Sequence, residues 1–118
     1  MLDVSRFDLR VLGQAMLEGD RTQLVRMIDG LRAEGSPLPL VTWTLAQDLR
    51  RLVIVHDALA AGRGRAQAFR EAGVFRDREA QIAAALNRID ARRARRALRA
   101  VSEVDRASKG LGRRNAWE

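Results

Sequence analysis

The sequence predicts an all-α protein, a helical bundle of about five to six helices that forms one domain over residues 1–118. Only two prolines occur, both within the stretch SPLPL, so no other segment carries this helix breaker. Apolar residues recur at spacings of three and four, and strand-like alternation is absent apart from short apolar runs. The length suits a single domain, and no segment has the length or composition of a domain linker.

The first two helices are predicted to form a hairpin. Ser5, with Asp8 three residues later, resembles a capping box, and Gly19 ends the first helix. Asp20 is placed to cap the second helix, and Gly35 occupies the position favoured for a left-handed C-cap. The apolar faces of the two helices consist of Leu12, Ala15 and Met16, and of Leu24, Met27, Ile28 and Leu31.

The third helix is predicted to be the longest, starting in Ser36–Pro39 and reaching Ala61. Its main apolar stripe comprises Val41, Leu45, Leu49, Leu52, His56 and Leu59. Trp43 and the run Val53, Ile54 and Val55 add apolar surface away from that stripe. Because a helix that is apolar on more than one face lies centrally or at an interface, we expect these four residues in the core or at an interface. The pattern leaves both roles open.

The second half of the chain predicts three further helices. A short helix over Ala66–Ala72 is closed by Gly73, and a fifth follows the Val74–Phe75 pair, with Ile82, Leu86 and Ile89 facing inward. Asp90 is placed to cap a sixth helix, in which Asp105 and Lys109 form an ordinary i,i+4 pair. Its apolar stripe comprises Ala94, Ala97, Leu98, Val101 and Val104. Asn115–Glu118 has the character of a first helical turn.

No residue pattern points to catalysis, a cofactor or a metal. The chain has no cysteine, which excludes disulfides, thiolate zinc sites and cysteine nucleophiles. The single histidine, His56, lies on an apolar stripe and is interpreted as a packed residue with its polar tip satisfied rather than a general base. Asp48 and Asp57 lie near it but do not complete a four-ligand set. The GRGR stretch lacks the strand and the GK[ST] ending of a phosphate loop, which favours a turn.

Basic charge raises nucleic-acid binding as an alternative function. The formal net charge is +7, and Arg88, Arg92, Arg95 and Arg99 recur at helical spacing, as a phosphate-tracking stripe would. However, only one of the 22 basic residues is a lysine, an arginine bias typical of GC-rich genomes. No aromatic residue is interleaved for base stacking. A solvated helix face is therefore favoured, and a basic nucleic-acid-binding module remains the alternative.

The start of the chain lacks the apolar core of a signal peptide, and the longest apolar runs, such as LVIV, are too short to cross a bilayer. A cytoplasmic protein without a membrane partner is the resulting expectation.

Four stretches together resemble one family. SRFDLRVLGQAMLEGD, LVRMIDGLRAEGSPLPLVTWTLAQDLRRL, FREAGVFRDREAQIAAALNRI and LRAVSEVDRASKGLGRRNAWE are similar, in order and spacing, to the C-terminal domain of the delta subunit of the bacterial DNA polymerase III clamp loader. The resemblance covers essentially the whole chain. It departs at the end, where the family continues past the Trp-Glu pair into a Leu-rich terminal helix, and at the start, where the family carries two further domains. We therefore expect a fragment with its terminal helix truncated.

The resemblance implies a subunit-assembly role in DNA replication. Family members pack this helical domain against those of the gamma/tau and delta-prime subunits, forming a five-membered collar. The sliding clamp and DNA are contacted only through the full complex, and the polymerase chemistry belongs to another subunit, so no enzyme activity is expected. Loss of the terminal helix would uncover an apolar groove beside the third and sixth helices. We expect the isolated fragment to self-associate, with Trp117 docking across the interface.

Overall fold

The computed structural model describes residues 9–109, which form six α-helices and one 3₁₀ turn and contain no strand. This confirms the predicted all-α fold. Trp117, the Ser5–Asp8 capping box and the Asn115–Glu118 turn lie outside the described residues. The helices are α1 (Leu9–Glu18), α2 (Arg21–Ala33), α3 (Leu38–Ala60), α4 (Arg65–Ala72), α5 (Glu79–Arg88) and α6 (Ala91–Ser108), with the 3₁₀ turn at Arg76–Arg78 between α4 and α5.

Local signals set most helix boundaries where the sequence predicts them. The carboxylates of Asp20 and Asp90 each accept a hydrogen bond from the backbone N–H three residues later, at 3.0 and 2.8 Å. Gly35 and Gly73 have φ angles of +77° and +71°, a left-handed conformation that costs glycine little and other residues more. One boundary differs: α5 ends at Arg88, and Ile89 adopts an extended conformation and packs half-buried against the core.

Helix α3 is the centre of the bundle. It contacts α1, α4, α5 and α6, and its 23 residues give it a length of about 35 Å. One end contributes Leu49, Leu52 and Val55 to a core cluster shared with α1, α4, α5 and α6, and the other contributes Val41 and Leu45 to a cluster shared with α1 and α2. The large apolar side chains on α3 that face neither cluster, those of Leu40, Trp43 and Ile54, are left on the outside.

Over residues 9–109, each helix is too short or too polar to span a membrane.

Candidate partner-binding surface

The outer face of α3 carries a row of exposed apolar side chains. Five large hydrophobic residues are exposed within residues 9–109, and three of them belong to α3: Leu40 at 44%, Trp43 at 58% and Ile54 at 41% of their full accessible surface. Separations of three and eleven residues place all three on one side of a helix. We call this row the α3 ridge. Clustered exposed apolar residues mark interaction sites more often than scattered ones do.

The four α3 residues predicted for the core or an interface divide between the two environments. Val55 is fully buried in the core and Val53 packs half-buried against it, whereas Trp43 and Ile54 are exposed. The division follows from helix geometry, because each successive residue of the Val53–Val55 run points about 100° away from the last. Only one of the three can face the core fully.

Two hollows flank Trp43. The first, of about 260 Å³, opens towards α1 and the 3₁₀ turn. The second, of about 230 Å³, lies between α3 and α6. Basic side chains line both: Arg10, Arg51 and Arg78 in the first, Arg50 and Lys109 in the second. The indole therefore stands between two concave surfaces, each lined by more basic than acidic side chains.

A buried carboxylate supports the first hollow. Asp48 is only 3% exposed, and its two oxygens accept hydrogen bonds from Arg51 at 2.9 Å and Arg78 at 3.1 Å. Burying a carboxylate is costly unless it is paired, so this arrangement fixes both guanidinium groups at the rim. Gly13 of α1 makes the close approach possible, since a Cβ there would lie 2.4 Å from Asp48 Oδ2.

Sequence reasoning missed this network. It considered Asp48 only as a neighbour of His56. The pairing with Arg51 could have been found, because the two residues are three apart on one helix. The pairing with Arg78 joins elements 30 residues apart and has no local signal.

The second hollow contains the predicted pair of Asp105 and Lys109. Lys109 Nζ lies 2.9 Å from Asp105 Oδ2, and the Thr42 hydroxyl lies 3.1 Å from Oδ1. The hydrogen bond from Lys109 holds the pKa of Asp105 below its ordinary value of 3.8, with further lowering from Thr42 and Arg50 and an opposing contribution from desolvation. At neutral pH this carboxylate is ionised and already occupied by its partners.

An apolar groove lies between α2, α3 and α6, on the side of α3 away from the ridge. It has a volume of about 180 Å³ and is lined almost entirely by aliphatic side chains, among them Ile28, Leu38, Val41, Leu45, Val101 and Val104. Helices α3 and α6 are the two predicted to pack against the terminal helix that the resemblance implies. The groove and the ridge together leave α3 with two apolar surfaces available to partners.

The arginines predicted to form one stripe do not belong together. Arg88 is the last residue of α5, and its guanidinium donates to the carbonyl of Leu17 at the end of α1. Its assignment to the stripe was wrong, because Asp90 caps a new helix and breaks the periodicity. Arg95 pairs with Asp57 of α3. Arg92 and Arg99 are exposed on α6, where they pair with no carboxylate of residues 9–109.

His56 is a packed residue, as predicted: it is half-buried, and its Nε2 lies 2.7 Å from the carbonyl oxygen of Ile89. Across residues 9–109, no group of three or more His, Cys, Asp or Glu side chains is arranged to hold a metal ion.

In comparisons with known proteins, no family model, curated protein or solved structure matches the chain.

Proposed function

We propose that this protein is a helical assembly module that binds partner proteins through the α3 ridge. The observation that carries the proposal is the exposure of Leu40, Trp43 and Ile54 on one face of the most central helix. Each side chain leaves roughly half its surface in water, so covering all three would recover a few kcal/mol at about 1.5–3 kcal/mol per fully buried side chain. Tryptophan is also among the residues that dominate binding energy at protein interfaces.

The specific assembly that we propose is the collar of the bacterial DNA polymerase III clamp loader, with this chain as the C-terminal domain of its delta subunit. The proposal is supported by the order and spacing of the four resembling stretches and by a fold made entirely of helices. The ridge residues Leu40 and Trp43 lie within the second of those stretches. In this role the protein contributes to DNA replication by holding the gamma/tau and delta-prime subunits, without performing chemistry itself.

A pull-down with purified gamma/tau and delta-prime subunits tests the proposal. The immobilised chain should retain them at micromolar concentration. Trp43→Ala should reduce retention, whereas Val25→Ala, which removes an exposed apolar side chain from α2, should not. Absence of retention at concentrations up to about 100 μM, where even weak specific complexes form, would refute the clamp-loader assignment.

A second candidate function is nucleic-acid binding by α6. It is favoured by the outward arginines Arg92, Arg93, Arg96 and Arg99, all of which are exposed. Phosphate contacts release counterions, so the affinity falls steeply as the salt concentration rises. On duplex DNA, the logarithm of the binding constant falls by about 0.9 per phosphate contacted for each tenfold increase in salt concentration. Titration of labelled single- and double-stranded DNA separates the candidates. Binding that survives physiological salt and disappears when Arg92, Arg96 and Arg99 are changed to serine would support this function.

A further inference from the structure

The two hollows beside Trp43 define the chemistry of what the α3 ridge can bind. Arg10 already has an interaction partner. Without it, each hollow still contains two basic side chains against one carboxylate: Arg51 and Arg78 against Asp48, and Arg50 and Lys109 against Asp105. Both carboxylates are occupied by internal partners, so neither is available to a ligand. The excess of positive charge is therefore presented on both sides of an apolar ridge.

The ridge itself has the dimensions of a helix-docking seam. Residues on this face of α3 recur at spacings of three, four, three and four, which is the a/d repeat of helices that pack side by side. They are the ridge residues Leu40, Trp43 and Ile54, with Gln47 and Arg50 between Trp43 and Ile54. The fourteen-residue separation between Leu40 and Ile54 corresponds to about 21 Å of helix, or about four turns. The hollows on either side of Trp43 are concave, as are the holes that receive side-chain knobs in such packing.

From this arrangement we infer that the ridge binds an amphipathic helix whose apolar stripe is flanked by Asp or Glu side chains. The apolar stripe covers Leu40, Trp43 and Ile54, and the flanking carboxylates lie over the basic hollows. This inference rests on the proposed function, because it names the kind of partner that the assembly module takes. It specifies a surface and a partner chemistry that a role in assembly alone does not supply.

Other occupants fit the same surface less well. A second copy would bring two basic rims together, and like charges oppose such contact. A single strand of nucleic acid would satisfy the arginines and stack on Trp43, but it offers no apolar surface to Leu40 or Ile54. A bilayer surface is flat on the scale of these hollows and would leave both of them unfilled.

Tryptophan fluorescence of the whole chain provides the test. The chain contains two tryptophans, and Trp117→Phe leaves Trp43 as the single reporter. The probes are a synthetic helix about three heptads long with Leu at the a and d positions and Glu at e and g, and the same peptide with Lys in place of Glu. Further probes are single-stranded DNA of about 20 nucleotides and phosphatidylglycerol vesicles. The acidic peptide should shift Trp43 emission to shorter wavelength and bind at least about tenfold more tightly than the basic peptide.

Variants identify the surface. In the unaltered chain, with binding followed by a label on the peptide, Trp43→Ala and Leu40→Ala should each weaken binding of the acidic peptide by about tenfold. Arg50→Gln should weaken it several-fold and lower its salt dependence, whereas the matched change Arg96→Gln, on the exposed face of α6, should leave both unchanged. Circular dichroism establishes that each variant is folded.

The inference is overturned by equal binding of the two peptides, by tighter binding of DNA or vesicles, or by no binding of the acidic peptide at about 1 mM. Its failure differs from failure of the proposed function. Peptide binding at Trp43 without retention of clamp-loader subunits keeps the inference and rejects the clamp-loader assignment. Retention that Trp43→Ala does not affect rejects the inference and keeps the assignment.

Discussion

Replacing Gly13 by alanine tests the buried carboxylate beneath the ridge. The new Cβ would lie 2.4 Å from Asp48 Oδ2, whereas ordinary contact begins at 3.4 Å. Either the carboxylate or α1 must therefore move by about 1 Å. Asp48 has little freedom to do so, because it is buried and held by Arg51 and Arg78 at 2.9 and 3.1 Å. We expect the substitution to break at least one of these pairs.

The magnitude follows from two opposing effects. Breaking a buried ion pair costs about 3–5 kcal/mol, and the lower end applies here because both arginines are partly exposed. Alanine in a helix interior is favoured over glycine by about 0.5–1 kcal/mol. The net expectation for Gly13→Ala is a loss of about 2–2.5 kcal/mol in the free energy of unfolding. For a domain of this size that corresponds to a fall in Tm of about 8–20 °C.

Thermal and urea denaturation, followed by circular dichroism, measure the effect. Gly64→Ala is a control for adding a Cβ without a clash, because its φ of −69° suits alanine and a Cβ there meets no atom within 4 Å. Since Gly64 is the N-cap of α4, where glycine is favoured over alanine, this control should itself cost about 1 kcal/mol or less. In an Asp48→Ala background the obstructing carboxylate is gone, so Gly13→Ala should instead stabilise the protein by up to about 1 kcal/mol. A neutral or stabilising Gly13→Ala in the unaltered chain would refute the close approach between α1 and Asp48.

Three further predictions concern the rest of the bundle. Arg88→Ala removes the hydrogen bond to the carbonyl of Leu17 and should lower the free energy of unfolding, measured in urea, by about 1 kcal/mol. Arg92→Ala, on the exposed face of α6, should change it by less than about 0.5 kcal/mol. Equal effects of the two substitutions would contradict the hydrogen bond made by Arg88. The pKa of Asp105 is lowered chiefly by its hydrogen bond from Lys109, so its stabilising contribution is complete above pH 3.8 and is lost as the pH falls below that value. Asp105→Asn should therefore flatten the dependence of Tm on pH in that range, and an unchanged profile would count against the interaction. Light scattering over a dilution series should detect self-association through the apolar groove between α2, α3 and α6, and a strictly monomeric protein that also fails to bind an apolar dye would argue against it.

The parts of the fold that were predictable from sequence depend on local interactions. Asp20 and Asp90 act on amides three residues away, and Gly35 and Gly73 end helices through their own backbone conformation. Such signals operate within one turn of helix, so they can be read without knowing the neighbours. This is why the helices and their boundaries were predictable to within a few residues.

The roles of the α3 side chains were not predictable in the same way. Trp43 and Val55 are both apolar residues on a helix with more than one apolar face, and one is exposed while the other is buried. Which face of α3 turns inward depends on where α1, α4, α5 and α6 pack. The apolar pattern of α3 alone does not determine that packing. The contact between Asp48 and Arg78 is likewise long-range.

The error over Arg88 had a different cause. Its spacing from Arg92 is helical, but the spacing runs across Asp90, the residue predicted to start a new helix. The capping signal was the stronger of the two because an N-cap marks the start of a new helix. Equal spacing of charged residues does not require one continuous helix. Periodicity is therefore informative only within the boundaries that caps define.

The most direct test of the proposed function is the affinity of the chain for the gamma/tau and delta-prime subunits, measured by sedimentation velocity with and without the Trp43 side chain. We expect a complex that Trp43→Ala weakens by at least about tenfold, the size expected for an interfacial tryptophan, and that Val25→Ala leaves unchanged. Independent sedimentation of the unaltered chain and the subunits would contradict the clamp-loader assignment. A complex that both variants form equally well would contradict binding through the α3 ridge.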